Sequence, residues 1–311
     1  MSVLYFLESI RSSFLDTFFS ILTTLGEETV FMAVGMIVFW CVNKYQGYYL
    51  LTTGFLGTII NQFLKMLFRI PRPWVLDPKF TIVESAREAA SGYSFPSGHT
   101  QSSVGIFGGL ARSSKDTFLR VICIIACVLV PLSRMYLGVH TPLDVGVSII
   151  IALVLIFAFY PLFKKAENSP KTMYILLAAL TLVTIAYLLF VLLFPFPQNT
   201  DMHNLESAQK NGYTLLGCML GLILTYTVDL KYTKFKVTAS PLMQIVKVVL
   251  GLLLVVLVKE ALRAPLDALF SGHLIARTVR YFLMVVVGGV LWPMTFKWFS
   301  KTYKGERYNE L

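Results

Sequence analysis

The stretch PLDVGVSIIIALVLIFAFYPLF, residues 142–163, decides the fold class because it is long enough to cross a lipid bilayer. About 17–25 predominantly apolar residues span the hydrocarbon core as a helix. The stretch carries a single charge, Asp144, near its start, and it lacks the strict alternation of a barrel strand. It therefore predicts a transmembrane helix with a carboxylate at its polar end.

Other parts of the chain repeat this apolar character. The chain of 311 residues is 56% hydrophobic and 14% charged, which lies outside the range of soluble domains. The sequence predicts an all-α fold, a polytopic transmembrane helical bundle of about nine spans. The other predicted spans cover residues 28–43, 47–68, 99–113, 116–137, 172–195, 211–229, 242–262 and 279–299.

The first 25 residues are more polar than these spans. Their apolar side chains recur at helical spacing, but Glu8, Arg11 and Asp16 interrupt them. This pattern predicts an amphipathic helix over residues 4–25 that lies in the membrane interface. A first, poor span is the alternative.

The net charge of +10 is distributed between the spans rather than on one basic face, which argues against a nucleic-acid partner. The cations cluster on alternate connections, and the positive-inside rule places those connections and the C-terminus in the cytoplasm. The connections over residues 69–97 and 134–144 then lie on the non-cytoplasmic face, with the inner or plasma membrane of the cell as the predicted location. The clusters are Lys44; Arg112 and Lys115; Lys164, Lys165 and Lys171; Lys231, Lys234 and Lys236; and Lys301, Lys304 and Arg307.

Two cations stand near the end of the second span. Lys65 and Arg72 are seven residues apart, and the prolines on either side of Arg72 predict that the helix ends by Ile70. Ionisable groups near lipid are costly, so they are candidates for function. Snorkelling of the two side chains to the headgroups is an equally good interpretation of this pair alone.

The tetrapeptide Pro96-Ser97-Gly98-His99 opens the third span. Ser97 is a good N-cap, Gly98 allows close approach of a ligand to the backbone, and the free amides of a helix start bind anions. His99 on that turn is placed to protonate a leaving oxygen. Taken by itself, the tetrapeptide is more typical of a structural helix cap.

A second polar group follows the fourth span. Ser133-Arg134 ends that span, Gly138 breaks it, and the next helix begins after His140. Asp144 lies four residues after His140, within reach of its ring, where a carboxylate fixes the tautomer and stabilises the cationic form. The other ring nitrogen is then available as a nucleophile. The alternative is that Asp144 merely caps the helix.

Taken together, the three groups have the order Lys-x6-Arg-Pro, Pro-Ser-Gly-His and Ser-Arg-x5-His-x3-Asp. This pattern, over residues 65–144, resembles that of the type 2 phosphatidic acid phosphatase superfamily of integral membrane phosphatases. The resemblance implies a metal-independent phosphatase without a cofactor, in which His140 attacks phosphorus, Asp144 orients it and His99 protonates the leaving group. It implies that the phosphoryl oxygens are held by Lys65, Arg72, Ser97, Gly98 and Arg134.

The substrate is left open by the sequence. A site between spans at the membrane surface suits a lipid such as phosphatidate, a sphingoid-base phosphate or a polyprenyl phosphate or diphosphate. About nine spans also resemble the glucose-6-phosphatase branch, so a sugar phosphate is the alternative, although Asp144 follows the lipid-phosphatase pattern. A phosphotransferase is the third possibility.

The chain divides into a catalytic domain, residues 1–170, and a C-terminal membrane domain of about four spans, residues 171–311, which has no comparable motif. A substrate channel or a homodimer contact is the role to seek there. Transport alone is disfavoured because no paired broken helices are evident. Lys247, Lys259 and Glu260 are interpreted as a helix-end snorkelling lysine and a local ion pair.

Overall fold

The computed structural model describes residues 1–87, 90 and 92–300, and all regular secondary structure within these ranges is helical. This confirms the all-α prediction. The main helices are α1 (Ser2–Ser9), α2 (Ser13–Thr23), α3 (Glu28–Cys41), α4 (Lys44–Phe68), α5 (Gly98–Ser103, continued by a π-helical turn over Val104–Gly108 and by Gly109–Ser113), α6 (Thr117–Tyr136), α7 (Pro142–Ala166), α8 (Pro170–Leu193), α9 (Met202–Val228), α10 (Pro241–Ala261) and α11 (Ile275–Val286, continued through Phe296–Ser300). Two shorter helices cover Pro73–Leu76 and Arg263–Leu269.

The predicted spans correspond to helices, but not all of them are long enough to cross a bilayer. Among the described residues, seven helices are long and apolar enough, or eight if α2 and α3, which meet at a bend of 51°, form one span. This roughly agrees with the expected nine. The difference lies in α5, which is shorter than 18 residues, and in α3, which reaches that length only together with α2.

The predicted N-terminal helix over residues 4–25 is divided in two, because the chain turns between α1 and α2. Ser12 caps α2 by accepting a hydrogen bond from the amide of Leu15. Arg11 lies between the two helices, and its side chain donates to the carbonyls of Tyr136 and Thr81. These contacts fasten the N-terminal segment to the end of α6.

α4 lies at the centre of the bundle. It packs against α3, α5 and α7 from the first half of the chain and against α8 and α9 from the second. The largest buried apolar cluster accordingly includes side chains of both halves, among them Tyr48, Leu177 and Tyr226. The end of α4, the start of α5, the end of α6 and the start of α7 meet, and these ends carry the three polar motifs.

Candidate active site

One polar cavity of about 310 Å³ brings the three motifs together. The side chains of the motifs come from four helix ends, so they converge although the sequence separates them by up to 79 positions. Ser97 and Asp144, both buried, lie behind the wall of the cavity. The residues of the motifs that line it are Lys65, Arg72, Gly98, His99, Arg134 and His140.

The ring of His140 is held in one tautomer. Its Nδ1 lies 3.5 Å from Oδ2 of Asp144, and its Nε2 lies 2.8 Å from Nη1 of Arg72. A guanidinium can only donate hydrogen bonds, so Nε2 must accept and must carry the lone pair. The proton is therefore on Nδ1, facing the carboxylate. This is the arrangement in which Nε2 can act as a nucleophile.

The charge state of His140 follows from its surroundings. The side chain is buried, and Arg72, Arg134 and Lys65 are close to it. Burial first, and then the charges of these cations, lower the pKa of His140 well below its ordinary range. The imidazole is therefore neutral at neutral pH, with its lone pair available.

Asp144 is placed for both of the interpretations that the sequence left open. Its backbone amide donates to Thr141 Oγ1 at 3.2 Å and its Oδ2 accepts from the Thr141 amide at 2.7 Å, a reciprocal cap of α7. The same Oδ2 faces the ring of His140. The cap at the start of α7 holds the carboxylate of Asp144 in place, and the carboxylate in turn orients the ring of His140.

Ser94 is a further polar residue at this point, which the sequence analysis did not identify. The side chain is fully buried, and its hydroxyl donates to Asp144 Oδ2 at 2.6 Å. The same Oγ lies 3.5 Å from Nδ1 of His140. Only its position two residues before Pro96 hints at this role, because a loop residue has no periodic signal.

Lys65 and Arg72 are held by the loop that precedes the second motif. Lys65 Nζ donates a short hydrogen bond to the carbonyl of Tyr93, and Arg72 Nε donates to the carbonyl of Gly92 at 2.9 Å. Arg72 Nη1 also donates to the carbonyl of Val139 at 2.9 Å. These contacts direct both cations into the cavity, which argues against the snorkelling alternative.

Arg134 has spare hydrogen-bonding capacity. It is 1% exposed, and its Nη1 donates to Thr23 Oγ1 at 2.7 Å. Its Nε has no acceptor within the described part of the protein. A buried donor without a partner is costly, and Arg134 lines the cavity, so an anion bound there would supply the acceptor.

The start of α5 forms the wall opposite His140. Ser97 caps the helix by accepting from the amide of Thr100, and a side chain at Gly98 would point into open space. The first amides of a helix have no acceptor within it, so those at Gly98 and His99 are available to an anion. A methyl group added to Gly26 would lie 2.9 Å from Cβ of His99, so this glycine lets the segment before α3 pack against the histidine.

Burial and the neighbouring cations disfavour the protonated form of His99. Burial, followed by the charges of Arg134 and Arg72, lowers the pKa of His99 to about 3. A bound phosphate dianion would offset those positive charges and favour protonation of the ring. His99 is therefore placed to take up a proton when an anion binds.

Two family models match the chain. The model described as PAP2 superfamily matches residues 45–168, and the model described as PAP2 superfamily phosphatase, transmembrane extension, matches residues 213–304. The first match contains all three motifs. The second covers most of the C-terminal half.

Curated relatives match mainly the first half. A probable sphingosine-1-phosphate phosphatase of Dictyostelium discoideum is 31% identical over 165 residues, covering 49% of this chain and 39% of the relative. The undecaprenyl-diphosphatase BcrC of Bacillus subtilis is 31% identical over 108 residues, covering 35% and 53%. The human sphingosine-1-phosphate phosphatase 2 is 27% identical over 158 residues, covering 49% and 39%. The matches thus span about half the length of these relatives or less, and no solved structure matches the chain.

Proposed function

The chain belongs to the PAP2 superfamily, and we propose on that premise that it is a membrane phosphatase that hydrolyses a phosphorylated lipid without a metal. The observation that carries the proposal is the geometry of His140. Its Nε2 holds the lone pair beside three cations, and its Nδ1 proton faces Asp144. That geometry suits attack on a phosphorus atom placed in the cavity.

In the first step, His140 Nε2 forms a bond to phosphorus as the bond from phosphorus to the lipid oxygen breaks. His99 gives its proton to that oxygen, and the lipid alcohol leaves. The Nδ1 proton stays between His140 and Asp144, which stabilises the positive charge that develops on the ring. In the second step, water forms a bond to phosphorus as the bond from His140 Nε2 to phosphorus breaks, and the water gives a proton to neutral His99. Phosphate then leaves, and His140 Nε2 regains its lone pair.

The cations act on the charge of the transferred group. Phosphoryl transfer depends largely on positioning and on electrostatic stabilisation of the equatorial oxygens. Arg134 Nε has no acceptor among the described residues, and Arg72 donates to the nucleophile itself. Binding of the phosphate would draw the Arg72 donor to a phosphoryl oxygen and release Nε2 for attack.

A lipid substrate is supported by two observations. The relatives are named for sphingosine 1-phosphate and undecaprenyl diphosphate, which are both phosphorylated lipids. The site also lies where helix ends meet, at the level where a lipid headgroup would sit. Hydrolysis of a sugar phosphate and transfer of the phosphoryl group to another alcohol are the competing functions.

We also propose how the protein is oriented in the membrane and which role each half of the chain has. The Lys and Arg clusters at the far ends of α5 and α7 support a cytoplasmic location for those ends, and hence a site on the non-cytoplasmic face of the inner or plasma membrane. The C-terminal cluster of Lys301, Lys304 and Arg307 lies outside the described residues. Residues 1–170 would carry the chemistry and residues 171–311 would assist it.

Phosphate release from purified protein in detergent with EDTA tests the proposal. The substrates are phosphatidate, a sphingoid-base phosphate, a polyprenyl diphosphate and glucose 6-phosphate, with His140→Ala as the control. Release from a lipid that the variant loses is the expected result. Release only from glucose 6-phosphate, or only in the absence of EDTA, would contradict the lipid or the metal-independent part of the proposal.

A further inference from the structure

The catalytic cavity adjoins a second, largely apolar cavity of about 350 Å³. Glu28 and Thr58 line both. The walls of the second cavity come from α3 and α4 on one side and from α9, α10 and α11 on the other, so the C-terminal half of the chain helps to build it. Its apolar lining includes Met32, Met36, Leu215, Val255, Tyr281 and Met284.

The apolar space continues deeper into the bundle. A third cavity, of about 40 Å³, shares Met32, Met36 and Phe55 with the second and reaches Trp40. The distance from Glu28 to Trp40 along α3 is about 18 Å at 1.5 Å per residue. The three cavities therefore form a row that is polar at the catalytic end and mostly apolar beyond it, although Lys259 and Arg277 also line the second cavity.

Glu28 occupies the junction in this row. It is the single carboxylate among the described residues that line the first and second cavities. Its side chain is exposed to that space and has no hydrogen bond or ion pair in the described structure. It lies in the first turn of α3, where the helix dipole favours a negative charge. The neighbouring Glu27, in contrast, accepts a hydrogen bond from Thr29 and lines neither cavity.

Resting on the proposed phosphatase function, we propose that the substrate is a single-chain lipid phosphate with an ammonium group close to the phosphate, and that Glu28 binds this ammonium. The three features of such a lipid match the row in order: phosphate at the cations, ammonium at Glu28 and chain in the apolar cavity. A sphingoid-base phosphate has this structure. Phosphatidate and polyprenyl diphosphates do not, and for them an unpaired carboxylate near the phosphate would be repulsive.

Two substrates with the same chain length differ in the ammonium and in one hydroxyl group, and the charge of residue 28 isolates the contribution of the ammonium. We would measure kcat/KM for sphinganine 1-phosphate and for octadecyl phosphate with the wild-type protein, Glu28→Gln and the control Glu27→Gln. A hydrogen bond to a charged group contributes about 1.5–3 kcal/mol, so the preference for sphinganine 1-phosphate should fall by about 10- to 150-fold in Glu28→Gln. Glu27→Gln should keep the wild-type preference.

The outcomes separate this inference from the proposed function. If the wild-type protein hydrolyses neither lipid nor any other phosphate ester in the panel, the phosphatase proposal itself fails. If it hydrolyses both lipids equally and Glu28→Gln leaves their ratio unchanged, the phosphatase stands and the ammonium site is wrong. Loss of folding in Glu28→Gln would appear as loss of activity on both lipids, and Glu28→Asp, which keeps the charge, would then have to retain the preference.

Filling the apolar cavity tests the path of the chain. Ala33 lines the cavity on α3, whereas Ala178 is exposed on the outer surface of α8. Ala33→Phe should raise KM for octadecyl phosphate several-fold more than for butyl phosphate, and Ala178→Phe should change neither. Equal effects of Ala33→Phe on both substrates would place the chain elsewhere.

Discussion

Two lysines on transmembrane helices have different surroundings. Lys65 of α4 belongs to the candidate active site, whereas Lys247 of α10 makes a structural contact. Lys65 donates to one loop carbonyl and lines the catalytic cavity, beside Arg72 and Arg134. Lys247 is fully buried, and its Nζ donates to the carbonyls of Trp40 and Val237 at 2.9 Å each. It also lies 4.2 Å from the ring centroid of Phe296.

The difference shows which buried charges can serve chemistry. Lys247 has carbonyl acceptors for its donors and an aromatic face beside it, so it joins α3 to α10 and has little capacity for a ligand. The cations around the catalytic cavity retain donors that only an incoming anion would satisfy, of which Arg134 Nε is the clearest case. A buried charge that lines a cavity and keeps an unsatisfied donor is therefore a stronger indication of function than a buried charge alone.

The largest effect is expected from removal of the nucleophile. His140→Ala should lower kcat for any phosphate ester by at least about a thousandfold, because no other group can form the covalent intermediate. His273→Ala is the matched control, since His273 is exposed on the loop before α11. Phosphate release in detergent measures both variants. Activity of His140→Ala within tenfold of the wild type would remove His140 from the reaction.

Arg134 tests whether spare donor capacity matters. Arg134→Ala should lower kcat by about 10²- to 10³-fold, the cost of losing a donor to the charge that develops in the transition state. Arg134→Lys keeps the charge but loses the planar fork, so an intermediate loss is expected. The control is Arg120→Ala, which removes an exposed arginine of the same helix. Equal activity of Arg134→Ala and Arg120→Ala would show that the unsatisfied donor of Arg134 does not contribute to catalysis.

Ser94 tests whether the orientation of the nucleophile depends on the loop. Ser94→Ala removes the hydroxyl that donates to Asp144, and kcat should fall by about fivefold with KM little changed, since one hydrogen bond contributes about 1 kcal/mol. Ser94→Thr keeps the hydroxyl and should recover most of the activity. A change in KM alone, or no recovery by threonine, would indicate a packing role instead.

The smallest effect on activity is expected at Lys247, and Lys65 provides the contrast. Lys247→Met leaves the carbonyls of Trp40 and Val237 without their donor, so stability should fall by about 1–3 kcal/mol while kcat changes by less than about twofold. Lys65→Met should show the opposite pattern, a large loss of kcat with little change in melting temperature. Thermal unfolding in detergent, measured beside phosphate release, distinguishes the patterns. If both variants lose activity to the same extent, the comparison fails.

Helix positions were predictable because each depends on local rules. Thr141 and Pro142 begin α7 as the cap and first turn, and Gly138, with φ of +82°, follows the end of α6. The sequence also predicted that the motifs lie together. Successive spans cross the membrane in opposite directions, so the helix ends that carry the motifs fall on the same membrane face. These features needed no knowledge of tertiary contacts.

The residues that were missed depend on tertiary contacts. Ser94 lies in a loop, and Glu28 precedes Lys65 by more than one whole span, so neither has a spacing that links it to the motifs. Lys247 was expected to snorkel, and that prediction was wrong, because the free carbonyl at the end of α3 supplies an acceptor inside the bundle. The ion pair of Lys259 with Glu260, at 3.4 Å, was predicted correctly because it is local.

The central claim is that His140 carries the phosphoryl group, and a trapping experiment tests it most directly. The protein is mixed with a lipid substrate labelled with radioactive phosphorus, quenched within milliseconds in alkali and analysed for protein-bound label. The account predicts label that is stable to alkali, labile to acid, absent from His140→Ala and located by peptide mapping to residue 140. Active protein that carries no label, or label that persists in His140→Ala, would contradict it.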